Sequence, residues 1–519
     1  MQQIFPDPYL HIGGDEVKPD DWLANPDIVQ FMQQQQLPDA AALHADFNRR
    51  LAGQLQALNR RMMGWDEVLH PALPSEVLVQ SWQGQDAVAA SVRAGHATLL
   101  SAGYYLDQPM PASYHYRNDP VTVAQPLPPL RGEREQAIQL NFSLQRLNNK
   151  AVQGSLLLLP GTAQHSAQLR WWVPGRGALA PRTLVQQGQH WQFQLDSWLG
   201  PGEFELEQQS PADSPQRSQW RASLWLGNTP YPLQLSQVAV DPLLWQQLST
   251  SQPTLTAGQQ QLIKGGEAAL WTELAPAATL DLKLWPRLYA VAERFWSKES
   301  LRDEAWVYQR LQRMDDYAAR LGLQHQLQQQ QGLQQLAANS AELSDLKLLS
   351  ELTEQSQYYS RHHLKTVRDE YRLGLPLQRL ADALPAESLT LVRLQQQLRS
   401  LHCADRAVTT AERASLVAEL QRQLSQWQQA ANRLQQFQGS AAGALQQRTI
   451  RQLAQQASQS LTLGLQWLQL LQQGNTATPQ QLQQWQRQLL ALNQPVSEET
   501  LFLSRVMATA LASCQLPSS

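Results

Sequence analysis

Within residues 4–120, short apolar runs at 9–13, 61–65, 77–82 and 97–101 are separated by stretches of helical periodicity, and this alternation limits the fold more than any other feature of the chain. Parallel strands need long crossovers, usually helices laid over the sheet, so the rhythm predicts βα units. Between the first two runs, Leu43, Phe47, Leu51, Leu55 and Leu58 recur every three or four residues, which predicts a helix with one apolar stripe facing the sheet.

Near residue 125 the texture changes to Pro-rich connectors and strand-like segments at 154–159, 169–173, 190–195 and 219–226, separated by Gly and Pro turns. These predict an antiparallel β module over 125–260, with Trp171 and Trp172 in its core. The parallel-sheet style returns at 262–271, followed by a helix around 285–296, so the module interrupts one βα region made of residues 1–124 and 261–324. From 325 to 519 the chain is rich in Gln and Leu with helical spacing, which predicts an α-helical C-terminal domain. In the segment 411–437, Leu416, Leu420, Leu424, Trp427 and Leu434 mark an amphipathic helix.

A hydrophobic content of 42% with 17 tryptophans is enough for several cores, while a net charge of -3 gives no field that would draw in nucleic acid or an anionic membrane surface. No apolar run approaches bilayer thickness, so neither nucleic acid nor membrane is expected as a partner. Cys403 and Cys514 are too far apart and too few to suggest a disulfide framework or a zinc site. No metal-ligand constellation or phosphate-binding glycine loop occurs, so no metal and no cofactor are expected. The N-terminus has no basic flank followed by an apolar stretch, and localisation stays open.

The chemistry concentrates at strand ends. The first run closes on Gly13-Gly14-Asp15-Glu16, two residues that let the backbone turn sharply followed by two adjacent carboxylates. Later runs end in Trp65-Asp66-Glu67, Gln80-Ser81-Trp82, Tyr104-Tyr105-Leu106-Asp107 and Trp271-Thr272-Glu273. A sugar has an apolar C–H face and a rim of hydroxyls, so indole walls with carboxylate acceptors suit it. An isolated Asp-Glu pair is commonly just a solvated helix start, but repetition at successive strand ends is hard to read as packing. Asp66 and Glu67 read as supports of their neighbours, Tyr104 as lying behind the site, and His11 as a structural histidine within its strand. Pro109-Met110-Pro111 reads as a stiff loop shaping one side of the site.

Through HIGGDEV at 11–17, MGWDEVL at 63–69, VQSW at 79–82, YYLD at 104–107 and GGEAALWTE at 265–273, the sequence resembles the family 20 glycoside hydrolases, the β-N-acetylhexosaminidases. The resemblance implies an α/β fold, a partial TIM (β/α)8 barrel of strands four to eight, with the β-rich insertion between strands seven and eight. It also implies that the first three strands, with the family's strand-one arginine and an upstream histidine, are missing. The chain is thus expected to be an N-terminally truncated fragment, for which a separately encoded N-terminal half is the partner to look for. Full-length relatives are often periplasmic or exported.

The family uses substrate-assisted catalysis, in which the 2-acetamido group of the sugar is the nucleophile. By position, the resemblance makes Glu16 the general acid and then the base, which must start protonated and so needs a raised pKa. Asp15 would orient the acetamide N–H, and the Tyr105 hydroxyl would hold its carbonyl oxygen. Trp65, Trp82 and Trp271 would form a dry cage, and Asp107 and Glu273 would accept hydrogen bonds from sugar hydroxyls. The implied reaction is retaining removal of terminal non-reducing β-linked N-acetylhexosamine from oligosaccharides or glycoconjugates. The competing reading is an inactive remnant that at most binds glycans. Gly13-Gly-Asp-Glu-Val17 is also similar to the GGDEF signature of diguanylate cyclases, but it has Val17 in place of Phe and lacks the sequence such a domain needs upstream.

Overall fold

The computed structural model describes residues 4–163, 165–209, 219–370, 372, 374, 377–402 and 409–512. The first four apolar runs form strands β1 (Tyr9–His11), β2 (Arg61–Trp65), β3 (Leu78–Ser81) and β4 (Thr98–Leu100), all parallel and in chain order. The strand Ile263–Gly266 adds to the far side of β4. In-register pairs Leu10 with Met62, Gly64 with Val79 and Gln80 with Leu99 bring every strand's C-terminal end to one edge of the sheet. Residues that follow consecutive strands therefore meet there, although they are far apart in sequence.

The helix Ala40–Ala57 starts where the Asp39 carboxylate accepts the Ala42 N–H at 2.8 Å. Its buried face consists of Ala45, Asn48, Ala52 and Leu55. The expected stripe is therefore only partly the buried one, because Phe47 and Leu58 point to solvent. The physical reason is close approach: small residues on the sheet side let the helix axis sit near the strands, and the larger side chains turn outward. Phe31, on a neighbouring helix, carries the Arg50 guanidinium over its ring at 5.3 Å.

Residues 138–238 build two five-stranded antiparallel sheets packed face to face. One joins Ile138–Gln145, Ala151–Leu159, Gln168–Val173, Gly177–Leu179 and Leu233–Val238; the other joins Thr183–Gln187, His190–Ser197, Gly200–Gln209, Gln219–Leu226 and Thr229–Tyr231. Alternate side chains point inward, and the resulting core stacks Phe142 on Trp171 at 3.9 Å and Phe193 on Phe204 at 4.5 Å between ring centroids. Trp171 lies in that core as expected, while Trp172 packs on the outer side near Trp245. Two groups tie the sandwich to the sheet region: Tyr114 donates to the Ser197 carbonyl at 2.8 Å, and Arg117 pairs with Asp196 at 2.6 Å while also holding Glu304, of a following helix, at 3.0 Å.

Most of the described helices from His325 onward share one apolar core, centred on the long helices Thr410–Leu434 and Gln447–Gln472. A Thr409/Glu412 capping box starts the first of these, and Val417, Leu420, Leu424, Trp427 and Leu434 are buried along it. Cys403 and Cys514 lie outside the described residues. Among the described residues no helix is long and apolar enough to cross a membrane.

A small two-stranded ribbon, Glu354–Gln355 with Glu499–Thr500, crosses the helical part and was not legible as a strand pair in the sequence. It is buried and acidic. Burial raises Glu354 to about 8, against hydrogen bonds from the Ser388 N–H and the Asn228 amide, and raises Glu499 to about 7. Glu498 goes the other way, to about 2: Arg361 and Lys365 outweigh its burial. A raised carboxyl contributes stability that is complete below its unfolded pKa and is lost as pH rises through the folded one. Glu498 contributes stability above its unfolded pKa that is lost toward pH 2. The thermal midpoint is therefore expected to peak in mildly acidic buffer and to fall as pH rises to about 8. Glu354→Gln, which keeps the shape of the protonated acid, should flatten that alkaline fall when followed by circular dichroism. An unchanged pH profile would show that the Glu354 carboxyl does not titrate in this range.

Candidate active site

After β1 the backbone enters left-handed conformations at Gly13 (φ 78°), Gly14 (φ 95°) and Glu16 (φ 51°). A Cβ at Gly14 would stand 2.6 Å from Val68 Cγ1, so the turn needs glycine both for its φ and for its space. The Gly13 carbonyl accepts the Trp65 N–H at 3.0 Å, which fixes this turn to the end of β2. A non-glycine residue at positive φ is uncommon, and here it is Glu16. The Glu16 N–H donates to Glu67 Oε1 at 3.4 Å, and Glu67 Oε2 accepts the Trp82 indole N–H at 3.1 Å. One carboxylate thus spans the acidic turn and the end of β3.

Trp65, Tyr105 and Trp271 form a cluster, with centroids 6.3 Å apart for Trp65 and Trp271 and 6.1 Å for Tyr105 and Trp271. The last two are held by a parallel bridge between Tyr105 and Ala269, in which the Leu106 N–H reaches the Ala269 carbonyl at 2.7 Å. Burial, followed by the nearby Tyr359 and the carboxylates of Asp107, Asp66 and Asp15, pushes the Tyr105 phenol well above its ordinary range, so it keeps its proton as a donor. Trp82 joins through Glu67, and its outer face carries the Arg176 guanidinium at 5.6 Å. Arg176 belongs to the β module, lies 5.5 Å over Trp198, and donates to the Gln83 carbonyl at 3.1 Å.

Asp107 accepts the Trp271 N–H at 3.3 Å, and burial raises its carboxyl to about 6. Glu273 is exposed and close enough to Asp107 to add to that rise. Asp66, also raised to about 6 by burial, accepts the backbone N–H groups of Trp82 and Gln83, both at 2.8 Å. It braces the end of β3. Tyr104 is fully buried behind the site, edge-on to Phe295.

Two expectations are corrected. The cage is open: Asp15, Glu16 and His11 are exposed and Trp271 is 44% exposed. Among the described residues the five strands form an open sheet with β1 at its edge, so one side of the acidic turn is not covered. His11 ends β1; its Nδ1 accepts the Gly13 N–H at 3.0 Å, and its ring sits edge-on to Trp65. In the loop Pro109-Met110-Pro111, the Met110 side chain inserts into the sandwich core and so does not itself shape the site.

The profile for "Glycosyl hydrolase family 20, catalytic domain" matches residues 1–140 and 220–299, the parts that carry these strand ends. Those parts of the chain are similar to the catalytic domain of glycoside hydrolase family 20. It is 35% identical over 120 residues to a beta-hexosaminidase of Porphyromonas gingivalis, covering 22% of this chain and 14% of that protein. To the beta-hexosaminidase subunit beta of Felis catus it is 23% identical over 317 residues, covering 60% of this chain and 36% of the relative. These alignments span well under half the length of either relative. A chitobiase of Flavobacterium johnsoniae shares the fold with a TM-score of 0.62 at 21% identity, covering 98% of this chain and 56% of that one.

Several residues that shape this site carry no local signal in the sequence. Glu67, expected as a support, connects Glu16 to Trp82, and nothing local in the sequence names those two partners. Glu267 accepts from the Gln80 amide at 2.5 Å, and the same amide also donates to Ser101 at 2.7 Å. The GGEAALWTE string contains Glu267, but a single glutamate just past the strand Ile263–Gly266 has no local mark of function. Arg287 is buried and donates to the carbonyls of Leu106, Gln108 and Met110, holding the Asp107 loop like a clamp. Tyr359 and His362 come from the helical part, where no strand-end signal could point to them.

Proposed function

We propose that the chain carries the acid–base side of a retaining exo-β-N-acetylhexosaminidase, acting on terminal non-reducing β-linked GlcNAc or GalNAc. In this reading its five parallel strands are strands four to eight of a (β/α)8 barrel, and residues 125–260 are an insertion between the last two. The observation that carries it is the glycine turn that sets Asp15 and Glu16 beside the Trp65–Tyr105–Trp271 cluster. The names of the relatives, beta-hexosaminidases, support the same reaction class.

The steps follow from the groups. The acetamide carbonyl oxygen attacks C1 while Glu16 gives its proton to the glycosidic oxygen, so the C1–O bond breaks and the aglycone leaves as an alcohol. Asp15 accepts the acetamide N–H and balances the positive charge of the oxazolinium ring, while the Tyr105 hydroxyl donates to the acetamide oxygen. Glu16, now a carboxylate, takes a proton from water as that water attacks C1. The ring opens, and the sugar keeps its β configuration. Trp65, Trp82 and Trp271 line the sugar's apolar faces, and Asp107 and Glu273 accept from its hydroxyls.

Hydrolysis of a chromogenic β-N-acetylglucosaminide, set against the matching β-glucoside, tests the reading. The glucoside lacks the acetamide nucleophile and is expected to be inert; equal turnover of both would overturn substrate assistance. The openness of Asp15, Glu16 and Trp271 favours a second reading, glycan binding without turnover, which predicts N-acetylglucosamine binding and no release of chromophore. In either case Asp107 accepts from a hydroxyl more strongly as a carboxylate than as the acid. Affinity for N-acetylglucosamine should thus fall as pH drops through about 6.

A further inference from the structure

The stretch from Thr353 to His363 is mostly polar and yet mostly buried, an expensive arrangement unless its groups are paired. Its partners come from separate parts of the molecule. Asn228, in the β module, donates to Glu354 and to the Gln355 carbonyl and accepts the Gln357 N–H at 2.9 Å. Tyr231 shares a hydrogen bond with Ser360 at 2.8 Å. In the helical part, Ser356 meets Thr500 at 2.9 Å, and Arg361 pairs with Asp382 and Glu498.

At the centre of this clamp Tyr358 has φ 57°, a strained value for a bulky residue, with its ring buried beside Tyr231. The turn directs the next side chain, Tyr359, out of the clamp and onto the sugar site. Its hydroxyl bonds to Gln108, the neighbour of Asp107, and lies in the field of both Asp107 and Glu273. The His362 ring stands edge-on to Tyr359 at 5.5 Å and also feels Glu273. Tyr359 is in turn close enough to Tyr105 to bear on its hydroxyl.

We propose that Tyr359 and His362 are specificity-determining residues of the sugar site, meeting the hydroxyls of the terminal sugar that lie remote from its acetamide. The inference rests on the function proposed above. In that reading Glu16 takes the oxygen on C1, and Asp15 and Tyr105 take the acetamide on C2, which leaves C3, C4 and C6 for the side bounded by Asp107 and Glu273. GlcNAc and GalNAc differ at C4. The wall supplied by Tyr359 and His362 is uncharged, since burial keeps the phenol protonated and the imidazole pKa below its ordinary value. Such a wall beside two carboxylates suits neutral hydroxyls and disfavours an anionic substituent. A site that pairs a hydroxyl in a fixed geometry discriminates strongly against a sugar whose hydroxyl points elsewhere.

The experiment compares the wild-type chain with Tyr359→Phe and His362→Gln. It measures N-acetylglucosamine and N-acetylgalactosamine binding by calorimetry and kcat/KM on the two chromogenic glycosides. The Phe variant removes one oxygen and keeps the ring, so its thermal midpoint should stay close to wild type. The expected result is a change of about tenfold or more in the GlcNAc/GalNAc ratio for at least Tyr359→Phe. A purely structural role would lower both sugars together and leave the ratio unchanged, which overturns the inference while the enzyme reading stands. If the wild-type chain neither binds nor hydrolyses either sugar, the reading beneath it falls and the inference falls with it.

Discussion

Glu16→Gln is expected to lower kcat on a β-N-acetylglucosaminide by about 10²- to 10⁴-fold, the range for loss of a positioned general acid–base. Glutamine keeps the size of the side chain and leaves the backbone N–H bond to Glu67 intact, so folding and sugar binding should change little. The loss should depend on the leaving group. A poor leaving alcohol needs the proton from Glu16 as its bond to C1 breaks, whereas a strongly acidic nitrophenol leaves without much help. Bond-breaking with the second substrate should therefore be affected much less, while the attack of water still loses its base. Equal rates for wild type and variant, or the same loss of bond-breaking for both leaving groups, would remove Glu16 from the acid role.

Arg361→Met is expected to have the largest effect on stability, about 3–5 kcal/mol, because it leaves buried carboxylates short of their cation. The guanidinium is nearly inaccessible and holds Asp382 at 2.7 Å and Glu498 at 2.8 Å. Glu498 keeps Lys365 at 3.1 Å and Arg379 at 2.6 Å, and Asp382 keeps the Arg379 N–H at 2.9 Å. Those remaining partners place the expected loss toward the lower end of the range. Urea unfolding followed by far-ultraviolet circular dichroism measures it. Arg361 sits two residues from Tyr359, so any discrimination between GlcNAc and GalNAc should weaken in the same variant. A variant as stable as wild type would mean that the pair network is solvated and does not hold the segment.

Much of the sheet region was legible because its signals are local. Strand Arg61–Trp65 and sandwich strand Gln219–Leu226 have the boundaries that their apolar alternation predicts. The long helix Thr410–Leu434 follows its leucine spacing to within a few residues. The Ala40–Ala57 helix was legible as a helix but not in its orientation. Periodicity marks a face, but the choice between Phe47 and Ala45 for the sheet side depends on how close the layers can come.

The site divides in the same way. Gly13, Gly14, Asp15 and Glu16, the Trp65 and Trp271 strand ends, and the Tyr105–Asp107 pair are local in kind: a strand, a turn that glycine permits, and the residues it delivers to one edge. These are legible along the chain. Only the tertiary structure decided that Glu67 would bridge Glu16 to Trp82, that Arg176 of the β module would cover Trp82, and that Tyr359 of the helical part would face Asp107. The openness of the acidic turn belongs to the same level, because exposure is a property of packed layers. Strand, turn and helix patterns arise between neighbours a few residues apart and can be read along a chain. Which distant segment forms the next wall of a site depends on how those layers pack, and no short-range pattern encodes it.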